Sequence, residues 1–565
     1  MKFSLVLLFI LSSFFKISAI EKGSNNDTPD FGSNVFVFNS QMSMESIQSK
    51  LNEVFKLQES SQFGPGRFAF LFHPGDYNLD VNVGFYTEVL GLGLSPDEVK
   101  INGQVHSEAD WMNGNATCTF WRSVAGIAVT PEGGTNRWAT SQATPFRRMH
   151  IKGNLVLDDG GWSSGGFISD SRIDGTISSG SQQQYFIRNT YIGDWRGGNW
   201  NMVFVGDVNP PKGVWPDRPY TVVSKTPVIR EKPFLFVDEK GDYFVRIPQL
   251  NRDSTIDVTW KNGDTPGENI SIDKFYIAHS ETDNAASINK ALDNGLNLLI
   301  TPGLYHLEAS IKVKKPGTVV LGIGLPSLIP DNGTPAIEVS DVDGIKLGGI
   351  MAEASIMNSQ NLVVIGETGS NKNHLADPIC LWDIFCRAGG AFNGMTNCFL
   401  TINSSDVIGD HFWLWRADHG TGAGWNSNIN ANGLIVKGNN VTIYGLFVEH
   451  TQEYQTLWQG ENGRVYFYQC EMPYDPPEQK FWMCGDEKGY PGYKVDDSVE
   501  THEAWGIGVY CVLRNKSVVA ENGMEAPKKP GIKMRNLLTI NLGGNINHVI
   551  SGIGDKAPSK VLIYP

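Results

Sequence analysis

Leu71-Phe-His-Pro-Gly-Asp-Tyr-Asn-Leu79 returns 228 residues later as Leu299-Ile-Thr-Pro-Gly-Leu-Tyr-His-Leu307. Each copy sets a Pro-Gly turn between two short apolar runs. The flanking blocks repeat in the same order. Ser46-Ile47 with Leu51 precedes the first copy and Ser287-Ile288 with Leu292 precedes the second. Val89-Leu-Gly-Leu-Gly-Leu94 and Val320-Leu-Gly-Ile-Gly-Leu325 follow them. Three matched blocks at near-constant offset predict two copies of one architecture. Each copy reads as short helix, strand, Pro-Gly turn, strand and Gly-rich turn, the helix capping the first coil and shielding an open sheet edge.

Beyond these openings the chain breaks into short β-branched segments separated by Gly, Asn and Asp, such as Leu362-Val-Val-Ile365, Gly433-Leu-Ile-Val436 and Arg464-Val-Tyr-Phe467. Turn signals at near-regular spacing without intervening helices fit a sandwich, a barrel or a parallel solenoid. The duplicated, capped opening selects the last. The expected fold is all-β: two tandem right-handed parallel β-helices of the pectin-lyase-like kind, packed side by side, over residues 20–265 and 266–565.

The 565 residues carry 46 Lys and Arg against 60 Asp and Glu, a net charge of −14, with no basic run. Phosphate backbones need clustered cations, so nucleic acid is not an expected partner. Met1-Lys2, an apolar run from Phe3 to Phe15 and a small residue at Ala19 read as a secretory signal over residues 1–19. The run is too short to span a bilayer, so a secreted protein off the membrane is expected after cleavage. Sequons at Asn26, Asn115, Asn269, Asn332, Asn403, Asn440 and Asn515 agree with secretion. Six of the seven cysteines lie after residue 379, where an oxidising compartment favours disulfides. No Cys-x-x-Cys or His-Glu-x-x-His occurs, and neither metal nor cofactor is expected.

Two strand-like segments of the second copy end in carboxylates 22 residues apart, about one coil: Val441-Thr-Ile-Tyr-Gly-Leu-Phe-Val-Glu449 and Gly463-Arg-Val-Tyr-Phe-Tyr-Gln-Cys-Glu471. Adjacent coils are spaced by roughly 4.8 Å. Two carboxylates that close disfavour double ionisation, so one pKa rises. A carboxyl kept protonated beside an ionised neighbour is what cleavage of a glycosidic bond requires. An upstream segment, Trp413-Leu-Trp-Arg-Ala-Asp418-His419, is expected to place Asp418-His419 level with Glu449-His450, its excess length absorbed by Gly420 to Asn428. The competing reading leaves the acids at coil corners facing solvent.

Aromatic residues favour the site. The chain holds 15 Trp, 17 Tyr and 29 Phe. Trp413, Trp415, Trp425, Trp458 and Tyr474 fall on the acidic coils, with Trp195 and Trp200 in a Gly- and Asn-rich stretch of the first copy. Sugars stack their apolar faces on indoles and are read by amides and carboxylates. Strand alternation sends Trp413 and Trp415 to one face. Gln182 and Gln184 would also share a face, either as a structural amide ladder or as amides reaching a cleft between the copies.

With those residues in view, the chain resembles glycoside hydrolase family 55, secreted exo-acting β-1,3-glucanases built from two tandem right-handed β-helices. The resemblance rests on the two Pro-Gly-x-Tyr openings, Gln182-Gln-Gln184, Trp413 to His419, and Phe447-Val-Glu-His450 through Tyr468-Gln-Cys-Glu-Met-Pro-Tyr474. It implies Glu471 as general acid and Glu449 as its helper. It also implies that His419 and Tyr474 contact substrate and that Gln182 and Gln184 stand near the nucleophilic water; Trp413, Trp415 and Asp418, read from the aromatic clustering and the coil alignment, are expected to bind substrate beside them. The family is inverting, whereas carboxylates about 5 Å apart point by geometry to retention. Inversion follows if Glu449 is a pKa partner and the first helix holds water on the opposite face. A monomer acting on β-glucan, without metal, is the expectation.

Two rivals remain. A pectin-type hydrolase would carry an Arg-Ile-Lys element, absent here, and an acidic protein repels polygalacturonate. A lyase would need clustered Ca²⁺ carboxylates with a nearby Arg or Lys base. A non-catalytic carbohydrate-binding matrix protein would keep the tryptophans but be indifferent to Glu471.

Overall fold

Both Pro-Gly-x-Tyr segments close the same turn. The Tyr77 hydroxyl donates to the carbonyl of His73 (2.8 Å) and lies 3.4 Å from that of Phe38. The Tyr305 hydroxyl donates equivalently to Thr301 (3.0 Å) and Ala278 (2.7 Å). In each copy one phenol therefore staples a turn to the strand of the preceding coil, which explains why Pro, Gly and Tyr recur together. Helices Met44–Gln58 and Ala285–Asp293 precede these turns, capped by Ser43 and by a reciprocal Asn284–Ser287 box. They bury Ile47, Leu51 and Val54, and Ala285, Ile288 and Leu292, against the first coils.

The computed structural model describes residues 28–565. The secretory signal read over residues 1–19 and the sequon at Asn26 lie outside the described residues. Two parallel β-helices follow. The first is built from a nine-stranded and an eight-stranded sheet, and its strands run from Val35–Phe38 to Tyr220–Val223. The second has sheets of thirteen and nine strands, from Phe275–Ala278 to Ser559–Tyr564. An antiparallel sheet of three strands, Phe234–Val237, Tyr243–Pro248 and Gly267–Ser271, lies between them in sequence. The final strand, Ser559–Tyr564, pairs antiparallel and ends the second ladder.

Register explains the packing. Ile384, Phe412, Leu446, Tyr468, Ile507 and Leu537 stack strand upon strand and fill the second solenoid. The alternate row, with Phe385, Trp413 and Phe447, points out of it and joins Tyr86, Phe120, Trp121, Phe167 and Phe186 of the first solenoid in one aromatic layer. A column of residues with positive φ separates the two faces: Gly349, Asp383, His411, Gly445, Phe467, Gly506 and Asn536. Each bends its strand at the same level, where the first solenoid docks. Glycine is required at Gly445, where a Cβ would stand 3.0 Å from Phe167, and at Gly506, where it would overlap Val203.

Charge fixes the docking. Buried Arg147 of the first solenoid pairs with Asp383 (2.7 Å) and Asp410 (2.6 Å), and buried Arg188 reaches the same Asp410 (3.0 Å) together with Glu231 (2.5 Å). Burial alone would raise the Asp383 carboxyl, but Arg147 and Lys232 hold it well below the usual carboxylate range.

The expected disulfides do not form; all seven cysteines are free thiols. Cys386 and Cys470 share one row of the parallel ladder, but Leu414 and Val448 stand between them. Cys380 lies in another row, across from Lys346 and Ile408. No two of these three thiols are direct partners across the ladder. Of the described sequons, Asn269, Asn332 and Asn440 are exposed and Asn115 and Asn515 half-buried, whereas Asn403 is buried with its amide nitrogen donated to Gly366 (2.8 Å).

Candidate active site

Strands Thr442–Glu449 and Gly463–Glu471 pair in parallel with Glu449 directly across from Glu471. The row continues to Trp415 on one side and Tyr510 on the other. Asp418 is not level with Glu449, contrary to the sequence expectation. Strand Val407–Arg416 ends before it, and Trp415 takes the register position. Asp418 still arrives at the site through the following turn, its Oδ1 3.9 Å from His450 Nε2.

The two glutamates differ in access. Glu449 is 3% exposed, and both its oxygens are occupied: Oε1 accepts from Gln142 Nε2 and Oε2 from Trp413 Nε1, each at 2.9 Å. Glu471 is half-buried, accepting from the Tyr474 hydroxyl and, at 3.4 Å, from Gln469 Nε2. Burial, then the charge of Glu471, pushes Glu449 well above the usual carboxylate range. Burial also raises Glu471, against the opposing pull of His450 and the Tyr474 hydroxyl. Two such groups titrate as one coupled pair.

Both glutamates line a cleft of about 230 Å³ between the solenoids. The second solenoid supplies Trp413, Trp415, Asp418, His419, His450 and Tyr474 to it; the first supplies Thr117, Cys118, Phe120, Gln142, Ser164 and Gln183. The indoles of Trp413 and Trp415 stack at 4.9 Å, and Phe63 lies parallel to Trp415 at 6.2 Å. At this end Asp418 and His419 form an ion pair of 2.9 Å. Burial would lower the imidazole, but Asp418 outweighs it and pushes His419 up to about 10, while Asp418 falls to about 2.

Gln182 and Gln184 do not reach the cleft. Gln182 donates to the carbonyls of Thr140 (2.9 Å) and Leu157 (2.7 Å), and Gln184 to that of Ser164, so both belong to an amide ladder inside the first solenoid. The residue between them, Gln183, faces out and lines the site. Sequence reasoning also missed Gln142, Ser164 and Thr117. Alternation from core-facing Tyr185 would have turned Gln183 inward; the bend at Gln183, just before strand Gln184–Arg188, breaks that alternation. No local signal marks Gln142, whose partner is 307 residues away. Among the described residues no cluster of His, Cys, Asp and Glu is arranged to hold a metal.

Paired acids of unequal exposure, set in an aromatic cleft between two parallel β-helices, define a carbohydrate-cleaving enzyme, a glycoside hydrolase. The family model of the LAM55 pectate lyase-like domain matches residues 275–471. An exo-β-1,3-glucanase of Streptomyces sp. (strain SirexAA-E / ActE) is 48% identical over 548 residues, covering 95% of this chain and 90% of that protein. The solved structure of sacteLam55A from Streptomyces sp. SirexAA-E superposes with a TM-score of 0.93 at 47% identity, covering 95% of this chain and 99% of that one. A Glu-to-Ala variant of the same protein, in complex with glucose, matches equally, with a TM-score of 0.93. The chain belongs to glycoside hydrolase family 55.

Proposed function

We propose that this enzyme is secreted and releases sugar from the ends of β-1,3-glucan with inversion, Glu471 acting as general acid. The relatives' named activity and the glucose bound to one of them support the substrate class. The observation that carries the mechanism is the contrast between the two acids. Glu449 is 3% exposed and has both oxygens engaged by N–H donors, so neither is free to attack an anomeric carbon. Burial raises both carboxyls, but both Glu449 oxygens accept from fixed N–H donors, which oppose that rise and favour Glu449 as the charged member of the pair. The shared proton then resides on Glu471, which faces the cleft and delivers it to the leaving oxygen. The fixed charge of Glu449 keeps that proton in place and stabilises positive charge developing on the sugar.

Without a nucleophile on this wall, water attacks from the opposite one, where Gln142, Ser164 and Gln183 present polar groups. Ser164 Oγ is itself fixed 3.1 Å from Ser141 Oγ. Trp413 and Trp415, only 1% and 2% exposed, form the apolar wall at the inner end of the cleft, and Asp418, His419 and Tyr474 offer the hydroxyl-reading groups. Proton transfer and charge stabilisation suffice for this chemistry, so the reading calls for no metal or cofactor.

The test is Glu471→Gln assayed on β-1,3-glucan and on β-glucosyl fluoride, whose leaving group needs no proton. Sugar release from glucan should be abolished and fluoride hydrolysis retained, with α-glucose appearing first by NMR in the wild type. Full glucan activity in the variant would refute the assignment. Secretion is checked by sequencing the mature N-terminus, expected at residue 20.

A further inference from the structure

The row that carries Glu471 runs on past it. In register, the next residue along its row is Tyr510, one strand spacing of about 4.8 Å further on. On the facing wall, Gln183 is followed on the next coil by Trp200, whose backbone N–H donates to the Gln183 carbonyl (2.9 Å). Trp200 is half-buried and packs on Tyr510 with ring centroids 5.0 Å apart and planes tilted by 35°. This pair lies beside the cleft-lining Gln183 and one strand beyond the acid, on the side away from Trp415.

Its construction is that of a rigid floor. Tyr510 is 1% exposed and lies back over Gly508, where a Cβ would overlap its hydroxyl. Trp215 and Leu538 are buried beneath the pair in the same apolar cluster, and Ile540 packs alongside. The turn that presents Trp200 is braced as well. Asn199 donates to the carbonyl of Gln182 (2.8 Å), and the Gly197 carbonyl accepts from Trp195 Nε1 (3.1 Å) and the Tyr220 hydroxyl (2.6 Å). At the rim, Leu542 lines the cleft and is 47% exposed. A partly open indole on an immobile aromatic base, beside the cleft, is suited to stacking on a pyranose ring.

We infer that Trp200, backed by Tyr510, binds the glucan unit on the leaving-group side of the scissile bond, and so determines preference for polymer over short substrates. This rests on the proposed action of Glu471 on glucan. Trp413, Trp415 and the Asp418–His419 pair then hold the sugar that is released, and Trp200 holds the chain that departs.

The test compares wild type, Trp200→Ala and Trp200→Phe on a β-1,3-glucan polymer and on β-glucosyl fluoride, which has no sugar on the leaving side. Loss of one stacked ring should lower kcat/KM on polymer about tenfold, mainly through KM, and change fluoride hydrolysis less than twofold. Trp200→Phe should recover most of the polymer activity, and far-UV circular dichroism should show the same fold in all three. Equal losses on both substrates, or no loss on polymer, would overturn the inference while leaving Glu471 untouched. A wild type inert on both substrates would overturn the functional reading and this inference with it.

Discussion

Nε2 of Gln142, on the first solenoid, lies 2.9 Å from Oε1 of Glu449, on the second. Its backbone is left-handed, with φ of 34°, and its carbonyl oxygen is 3.0 Å from His411 Nε2. The other ring nitrogen of His411 is 3.0 Å from Asp383 Oδ1, within the charged network that joins the solenoids. The electrostatics of the acid pair therefore depend on how the two halves dock, even though the first solenoid carries neither acid.

Gln142→Leu keeps the volume and removes the donor. A buried carboxylate oxygen left unpaired costs about 1–3 kcal/mol of stability. The donor favours ionised Glu449, so its loss raises that pKa further, and the acid limb of the kcat/KM profile should move to higher pH. Thermal melts and a pH–rate profile check this; an unmoved acid limb would show that Gln142 does not tune the pair.

Glu471→Gln should have a pH-dependent effect on stability. The folded-state pKa of Glu471 is raised, chiefly by burial, so its stabilising contribution is present below the ordinary value and lost as pH rises through the folded one. Each unit of displacement is worth about 1.4 kcal/mol. The variant should melt close to wild type near pH 4 and progressively above it toward pH 8. A constant difference across that range would mean the pair is not electrostatically strained.

Asp410→Asn removes the carboxylate shared by Arg147 and Arg188 while keeping its shape. Breaking a buried ion pair from one side costs about 3–5 kcal/mol, because the charge left behind is uncompensated. The melting temperature should fall sharply, and glucan hydrolysis should fall with it as the Gln142 wall loosens. A variant as stable as wild type would assign docking to the aromatic layer alone.

What the sequence disclosed follows the range of the interactions. The Pro-Gly-x-Tyr turns were readable because one bond of each, Tyr77 to His73 and Tyr305 to Thr301, closes within four residues. Glu449 and Glu471 were readable because one uninterrupted coil separates them. Asp418 was misplaced because Gly420 to Asn428 was used to absorb the extra length, when core residues set the register: Phe412 and Leu414 sit across from Leu446 and Val448. Gln182 and Gln184 were misplaced because the chain bends at Gln183, before the strand begins, so the extended alternation assumed for them does not hold there. Gln142 left no trace, since its role exists only once the two solenoids meet.

The positive-φ column permits a cleaner measurement of what docking demands of the backbone. Gly241 and Gly506 both have positive φ, 92° and 65°, but a Cβ at Gly241 would meet nothing within 4 Å, whereas at Gly506 it would overlap Val203 of the first solenoid. Gly241→Ala should thus carry conformational strain alone, about 1–2 kcal/mol. Gly506→Ala should carry that strain plus displacement of Val203, beside which Asn201 Nδ2 donates to the Gly506 carbonyl at 2.9 Å. Overpacking of this kind costs a further 1–3 kcal/mol or so. Because Gly506 is one coil beyond Glu471, the second variant should also lose activity on glucan, and the first should not. Equal melting temperatures for the two variants would mean that the solenoids can separate at this level without penalty.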